Sequence, residues 1–418
     1  MKKIKDRIFT NKAFHNGVWL YLLQIFNTVI PLATLPYVTR ILGTNKYGVF
    51  SASFNIVGYL QVVVEYGFAM SATREVALNH SKDKINRLFS SIIYARLLLL
   101  ISCLLFSVIY LYLWHPDTIQ ILSYWMLTII LLATTIQENW LFQGLENMKY
   151  IAITNIIART LTMLLIFGCV KGVEDLLIYC LLYSASPLIS NILGLCVAKK
   201  KYDIKFVKVQ IKDIVEELHK GWYIFTTQFT SKVFGAIGVT FLTFFDTSST
   251  VGIFSAIQKI PNAMILMWMP ISTVLYPIVS KKMKASFVEG EKYVLHLRRY
   301  LLLIFLIPTI AFSIFSNSIV RIAFGSAYAS NSYWLIPLLL WLFISIDNNF
   351  WGIQILLGSG HDKEYSLCFM ISVVATVLFN LIFIKLWGGT GAAWAPFASE
   401  LLLDILLILA VKRIERNY

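Results

Sequence analysis

Charge is scarce in this chain: only 14% of its 418 residues are Asp, Glu, Lys or Arg, 58% are hydrophobic, and the mean hydropathy is +0.72. Soluble domains carry about 25% charged residues, so an ordinary soluble fold is excluded. Cysteine is sparse too. The five cysteines, Cys103, Cys169, Cys180, Cys196 and Cys368, fall inside apolar runs without a CxxC pair, and they read as small core residues rather than a disulfide or redox framework. The six histidines, His15, His80, His115, His219, His296 and His361, sit at span ends or in loops, and no two are four residues apart. That spacing argues against a histidine metal centre, and no cofactor is expected. Sustained polar/apolar alternation is missing, which excludes a membrane β-barrel. A small-residue cleavage pattern is missing after Lys2, Lys3, Lys5, Arg7 and Lys12, so the apolar run that follows is read as an uncleaved first span.

Long apolar runs are what the chain has instead. A bilayer core of about 30 Å needs about 20 apolar residues per helical crossing, and such stretches recur from end to end. The reading is an all-α integral membrane protein of about twelve transmembrane helices. The spans fall at 17–39, 47–70, 88–113, 119–142, 150–170, 175–198, 221–244, 250–279, 299–323, 331–356, 365–386 and 391–411.

The formal net charge of +14 could suggest nucleic acid, but the positions of the basic residues argue otherwise. They collect in the N-terminal stretch, in 71–87, in 199–220, in 280–298 and in the C-terminal tail. The opposite loops hold only Lys46, Lys171 and Lys385, with Arg40 and Arg321 at span ends. Such asymmetry marks the cytoplasmic face and places both termini there. No nucleic-acid partner is expected.

The basic segment 199–220 separates two halves: an N-terminal lobe, 1–198, and a C-terminal lobe, 221–418. An offset of 204 residues aligns Gly17, Gln24, Val29, Thr39, Gly48, Phe50, Ser51, Ala52 and Ile56 with Gly221, Gln228, Val233, Thr243, Gly252, Phe254, Ser255, Ala256 and Ile260. Gly144 and Gly358 form a weaker echo. Because the matched spans keep the same membrane orientation, the expected architecture is two six-helix lobes related by a pseudo-two-fold axis along the membrane normal. That is a transporter architecture, with substrate bound between repeats that rock.

Prolines lie in the spans, with Pro31 and Pro36 in the first and Pro261, Pro270 and Pro277 in the eighth, where they kink helices. Charges lie there as well. Each costs about 2.5–3.5 kcal/mol near the midplane on insertion scales and calls for a partner or a polar cavity. Lys232 is roughly 16 Å from either end of its span at 1.5 Å per residue. Lys232, Lys259, Arg159 and Arg96, with Arg40 at a span end, are the expected lining of a cationic cavity suited to a phosphate or pyrophosphate. Pairing with a buried acid is the competing explanation for each. Asp347, Glu400 and Asp404 are the candidate coupling site for a proton or sodium ion, Glu400 and Asp404 sharing a helix face.

These residues sit among stretches that resemble a known family. Pro31 and Pro36 with Tyr-Val-Thr-Arg-Ile-Leu-Gly (37–43) running into Tyr47-Gly48, Asn-Trp-Leu-Phe-Gln-Gly-Leu-Glu (139–146), and Val251-Gly-Ile-Phe-Ser-Ala-Ile-Gln-Lys-Ile are similar to polysaccharide flippases of the Wzx type. The wider superfamily includes the multidrug extrusion (MATE) proteins and the lipid II flippases. The resemblance implies a MATE-like fold, alternating access and an undecaprenyl-pyrophosphate-linked O-antigen oligosaccharide as cargo, moved from the cytoplasmic to the periplasmic leaflet. It further implies a bacterial inner-membrane location, coupling to H+ or Na+, and a monomer working beside an O-antigen polymerase and a chain-length regulator. It implies no enzymatic activity. A multidrug antiporter would favour acids in its cavity, and a membrane glycosyltransferase or polymerase would need a large outer loop that this chain lacks.

Overall fold

A computed structural model describes residues 12–78 and 81–416; Lys2, Lys3, Lys5 and Arg7 lie outside the described residues. The helices are α1 (Lys12–Glu65), α2 (Phe68–Leu78), α3 (Lys82–Trp114), α4 (Thr118–Leu127), α5 (Ile129–Thr135), α6 (Asn139–Gly144), α7 (Met148–Cys169), α8 (Leu176–Tyr202), α9 (Ile211–Phe245), α10 (Ser248–Ile257), α11 (Lys259–Ala285), α12 (Phe287–Ile314), α13 (Ser316–Phe324), α14 (Ser326–Ala329), α15 (Leu335–Asn348), a π-helical stretch (Asn349–Leu357) and α16 (Asp362–Glu415).

Among the described residues, nine helical stretches are long and apolar enough to cross a membrane. The expectation was about twelve, and two of the nine are long enough for two crossings each. α1 is broken at Gly43 (φ 68°) and α16 at Gly388 (φ 54°). Both glycines hold positive-φ backbone that an L side chain strongly disfavours, so each breaks its helix within a single residue. The fourth expected span, 119–142, is divided by turns among α4, α5 and α6, and the eighth is broken at Gln258 between α10 and α11.

The distribution of side chains is that of a lipid-embedded chain. On α3 the outward residues Leu98, Ile101, Leu105, Phe106 and Ile109 are all exposed and apolar, whereas Ser90, Ser91, Arg96 and Ser107 are buried. Water would drive the reverse arrangement; hydrocarbon tolerates it, and polar groups go where protein can satisfy them. Most buried hydroxyls do so locally: Ser90, Ser107, Thr134 and Thr162 each donate to the carbonyl one turn back.

Two compact units are formed, one of Met1–Leu42 with Ala52–Gly235, the other of Gly43–Ser51 with Ala236–Tyr418. In the first unit Phe68, Phe89, Ile92, Trp140 and Phe142 build the core. α8 ends on Asp203, a left-handed cap (φ 52°), and the following segment runs along α3, with Lys205 N donating to Asn86 Oδ1 (3.0 Å) and Val207 N to Ser90 Oγ (2.9 Å). Ion pairs Lys82–Asp203 (3.3 Å) and Arg87–Asp213 (2.8 Å) fasten its two ends.

In the second unit the repeated Gly-x-Phe-Ser-Ala motif acquires a physical reason. A Cβ on Gly48 would stand 1.6 Å from the Ser248 carbonyl oxygen, and one on Gly252 would stand 2.1 Å from Thr44 O and 2.8 Å from Gly48 N. Backbone meets backbone here, and only glycine fits. Ser249 Oγ donates to Thr44 Oγ1 (2.8 Å), and Tyr328 Oη donates to Gly43 O (3.1 Å).

Candidate substrate and ion sites

In the first unit a cavity of about 250 Å³ lies within the helix bundle. α1 contributes Thr34 and Gln61, α7 contributes Asn155 and Arg159, and α8 contributes Tyr183 and Ser186. Arg159 is half-buried, its titratable neighbour is the Tyr183 hydroxyl, and no carboxylate lines the space. Asn155 spends its amide N–H on the Ile151 carbonyl (2.9 Å), and Tyr183 is positioned edge-on by Phe54 (centroids 5.2 Å apart). A guanidinium beside neutral donors, without an acid, can take an anion in a forked hydrogen bond.

Lys232, on α9 in the same unit, is half-buried with its Nζ 5.6 Å from the Tyr59 ring centroid. The ammonium fits because position 58 is glycine: a Cβ there would lie 2.6 Å from Nζ. A cation over an aromatic face is stabilised by about 0.5–2 kcal/mol.

The other basic candidates are not among the residues that line this cavity. Arg40 is exposed on α1, just before the break at Gly43. Lys259 is exposed and opens α11 directly after the break at Gln258. Arg96 is fully buried in the first unit. Its Nη1 donates to Gln137 O (2.5 Å), and its guanidinium carbon lies 5.7 Å from the Phe68 ring centroid.

The three acidic candidates gather in the second unit. Asp347, at the end of α15, takes a two-pronged ion pair from Arg298 of α12, the Nη2–Oδ2 arm being 2.5 Å. Arg298 in turn lies 5.2 Å from the Trp351 ring centroid. Glu400, on α16, accepts from Asn348 Nδ2, whose amide also donates to the Glu400 carbonyl (3.0 Å). Asp404, one turn on, is buried close enough to interact electrostatically with Asp347 and Arg298, while its Oδ1 and the Asn348 Oδ1 lack a hydrogen-bond partner among the described residues. Beside them the π-helical stretch turns Asn349 and Gln354 toward Ser272 of α11: Ser272 Oγ donates to Asn349 Oδ1 (2.8 Å), and Gln354 Nε2 donates to Ser272 Oγ (3.1 Å). Buried oxygen acceptors of this kind suit a proton or a hard monovalent cation.

Sequence reasoning missed Arg298, because it started the ninth span at 299 and counted Arg298 with the cytoplasmic loop. A signal was present. Ser286-Phe-Val-Glu289 is a capping-box sequence, and the structure starts α12 there, with Ser286 Oγ accepting from Glu289 N (3.4 Å).

Residues 13–283 match the model of the family described as polysaccharide biosynthesis protein. The chain belongs to that family. It is 27% identical over 410 residues to a protein described as "Putative O-antigen transporter" from Escherichia coli (strain K12), covering 96% of this chain and 98% of the relative, and 26% identical over 403 residues to one of the same description from Shigella dysenteriae, covering 95% and 99%. Among solved structures it resembles the lipid II flippase MurJ in an inward closed conformation (TM-score 0.67, 17% identity, 92% of this chain and 87% of that one). It also resembles an inward-facing multidrug resistance MATE family transporter of the MOP superfamily (TM-score 0.71, 14% identity, 96% and 98%). The fold is therefore shared with these two solved structures, as the sequence resemblance implied.

Proposed function

We propose that this protein flips undecaprenyl-pyrophosphate-linked O-antigen units from the cytoplasmic to the periplasmic leaflet of the bacterial inner membrane. The family and the relatives' descriptions support transport of a polysaccharide precursor. The observation that carries the anionic cargo is the cavity around Arg159, which holds a cation and neutral donors with no carboxylate. An extruder of cationic drugs would need the opposite charge there. In this reading Arg159 forks onto the pyrophosphate, Lys232 and Lys259 add point charges along the path, and Arg40 attracts the headgroup at the outer end.

Two six-helix lobes, 1–198 and 221–418, would alternate access across about twelve crossings, with 199–220 as the cytoplasmic connection and both termini inside. Asp347, Glu400 and Asp404 would take the coupling H+ or Na+. Their clustering around Arg298 and Asn348 supports that role. The test is complementation of a flippase-null strain with a panel of defined O-antigen units, scored by surface polysaccharide with protein level checked by blot. Restoration for at least one unit, lost in Arg159→Gln, is expected; restoration for none at normal protein level would sink the reading.

A further inference from the structure

Away from the Arg159 cavity, the first unit holds a buried pair of opposite charges that is not closed. Arg96 and Glu138 are 0% and 1% exposed. Arg96 spends Nη1 on the carbonyl of Gln137, the residue next to Glu138, so the two side chains share one small region and feel each other's charge. No ion pair joins them, and Arg96 Nε, Arg96 Nη2 and Glu138 Oε2 all lack a hydrogen-bond partner among the described residues.

Three unsatisfied atoms on two buried charged groups are costly, since each buried polar group left unpaired costs about 1–3 kcal/mol and more when charged. The second unit shows the closed alternative. There an arginine of α12 grips an aspartate of α15 with two hydrogen bonds, and α12 and α15 carry the ninth and tenth expected spans as α3 and the α4–α6 segment carry the third and fourth. The same span-three to span-four arrangement is thus gripped in one half and parted in the other.

Glu138 is also seated by design of the backbone. Its Oε1 lies where a Cβ on Gly194 would be, 1.5 Å away, so α8 offers a notch that no other residue could leave open. The charged groups acting on Arg96 are Glu65 at the end of α1 and Glu138 itself, and α8 meets the Glu138 carboxylate through the bare Gly194.

We propose that Glu138 is a proton-carrying carboxyl of the first unit: protonated when parted from Arg96, and ionised when Arg96 swings on to it. Proton uptake converts the Glu138 carboxylate to a neutral carboxyl, removing one buried charge and freeing the guanidinium; proton release to water restores the carboxylate and closes the pair. Nothing in this step depends on which glycan is carried.

The test uses the full-length protein in lipid nanodiscs, treated with dicyclohexylcarbodiimide, which modifies protonated carboxyls in apolar surroundings, and read by peptide mass spectrometry across a pH series. Glu138 should be labelled at acid pH, with labelling falling about tenfold per pH unit once its pKa is passed. Arg96→Gln removes the cation that favours the ionised form, so labelling should persist to higher pH by a unit or more. A Glu138 that labels equally at every pH, or never labels while other span carboxyls do, overturns the proposal, as does a profile unchanged in Arg96→Gln. Because labelling needs no substrate, failure here is separable from failure of the flippase reading.

Discussion

Gly48 and Gly252 stand at equivalent positions of the internal repeat and lie in direct backbone contact, with the ideal Cβ of Gly252 falling 2.8 Å from Gly48 N. Two glycines that the sequence aligns at an offset of 204 residues thus pack backbone to backbone. The neighbouring Ser249–Thr44 hydrogen bond crosses the same seam.

Replacing Gly48 by Val should therefore be severe. Its Cβ would collide with a carbonyl rather than a flexible side-chain end, so the expected loss is about 2–4 kcal/mol. Thermal unfolding followed by tryptophan fluorescence would show it, and a melting temperature equal to wild type would contradict the contact.

Lys232→Ala should insert and fold normally, because it removes a half-buried side chain seated on the Tyr59 ring face and beside Gly58 without touching the helix backbone, yet lower transport. Gly58→Ala is the companion. Its new methyl meets only the mobile end of Lys232, so stability should change by about 0.5 kcal/mol or less while complementation weakens. Full activity in both variants would remove Lys232 from the path.

At Arg159 the distinction is between a fork and a point charge. Loss of charge-assisted hydrogen bonds worth about 1.5–3 kcal/mol corresponds to about 10- to 100-fold in transport at limiting substrate for Arg159→Gln, with Arg159→Lys in between. Flipping of a labelled pyrophosphate lipid in proteoliposomes would measure it. Equal rates for Gln and Arg at this position would show that the cavity does not grip the anion.

Arg298→Met leaves Asp347 buried without its partner and should destabilise by about 3 kcal/mol. The double variant Arg298→Met, Asp347→Leu should recover most of that, since it removes both charges. The coupling energy from the four melting curves tests the pair; simple additivity would count against it.

Lys220 receives three carboxylates, Glu75 at 2.5 Å, Glu217 at 2.7 Å and Glu216 at 3.0 Å. Burial works to lower its pKa, but the hydrogen bonds outweigh that and hold it above the ordinary lysine value, while burial pushes the Glu217 carboxyl up. Lys220→Met should cost about 1–3 kcal/mol at neutral pH, where the acids are ionised and repel. With its raised pKa, Glu217 takes up a proton before ordinary carboxylates as pH falls, so the gap between wild type and variant should narrow toward acid. A gap independent of pH would refute this account.

Much of the fold was legible because apolar length is a crude and robust signal, and because glycine and glutamine repeats survive where leucine is uninformative. The breaks were less so. Gly43 and Gly388 lie in or beside the expected inter-span loops, but nothing local distinguishes a left-handed glycine from a packing one such as Gly194. For the site, Asp347, Glu400 and Asp404 stood out as acids in apolar runs and do gather, whereas Arg298 was hidden by a misplaced helix start that the Ser286–Glu289 cap could have corrected. The open state of Arg96 and Glu138 is invisible in sequence, since whether two buried charges touch depends on angstroms of helix placement. The π-helical turn at Asn349–Leu357 likewise has no composition of its own.

The segment after Asp203 is strapped to α3 by Asn86, Ser90 and Arg87, so it is no slack tether between halves. A fluorophore or spin label attached at Lys208 would report on the first unit as a rigid passenger, and distance measurements meant to follow a swinging connector would have to be anchored beyond Gly235, where that unit ends.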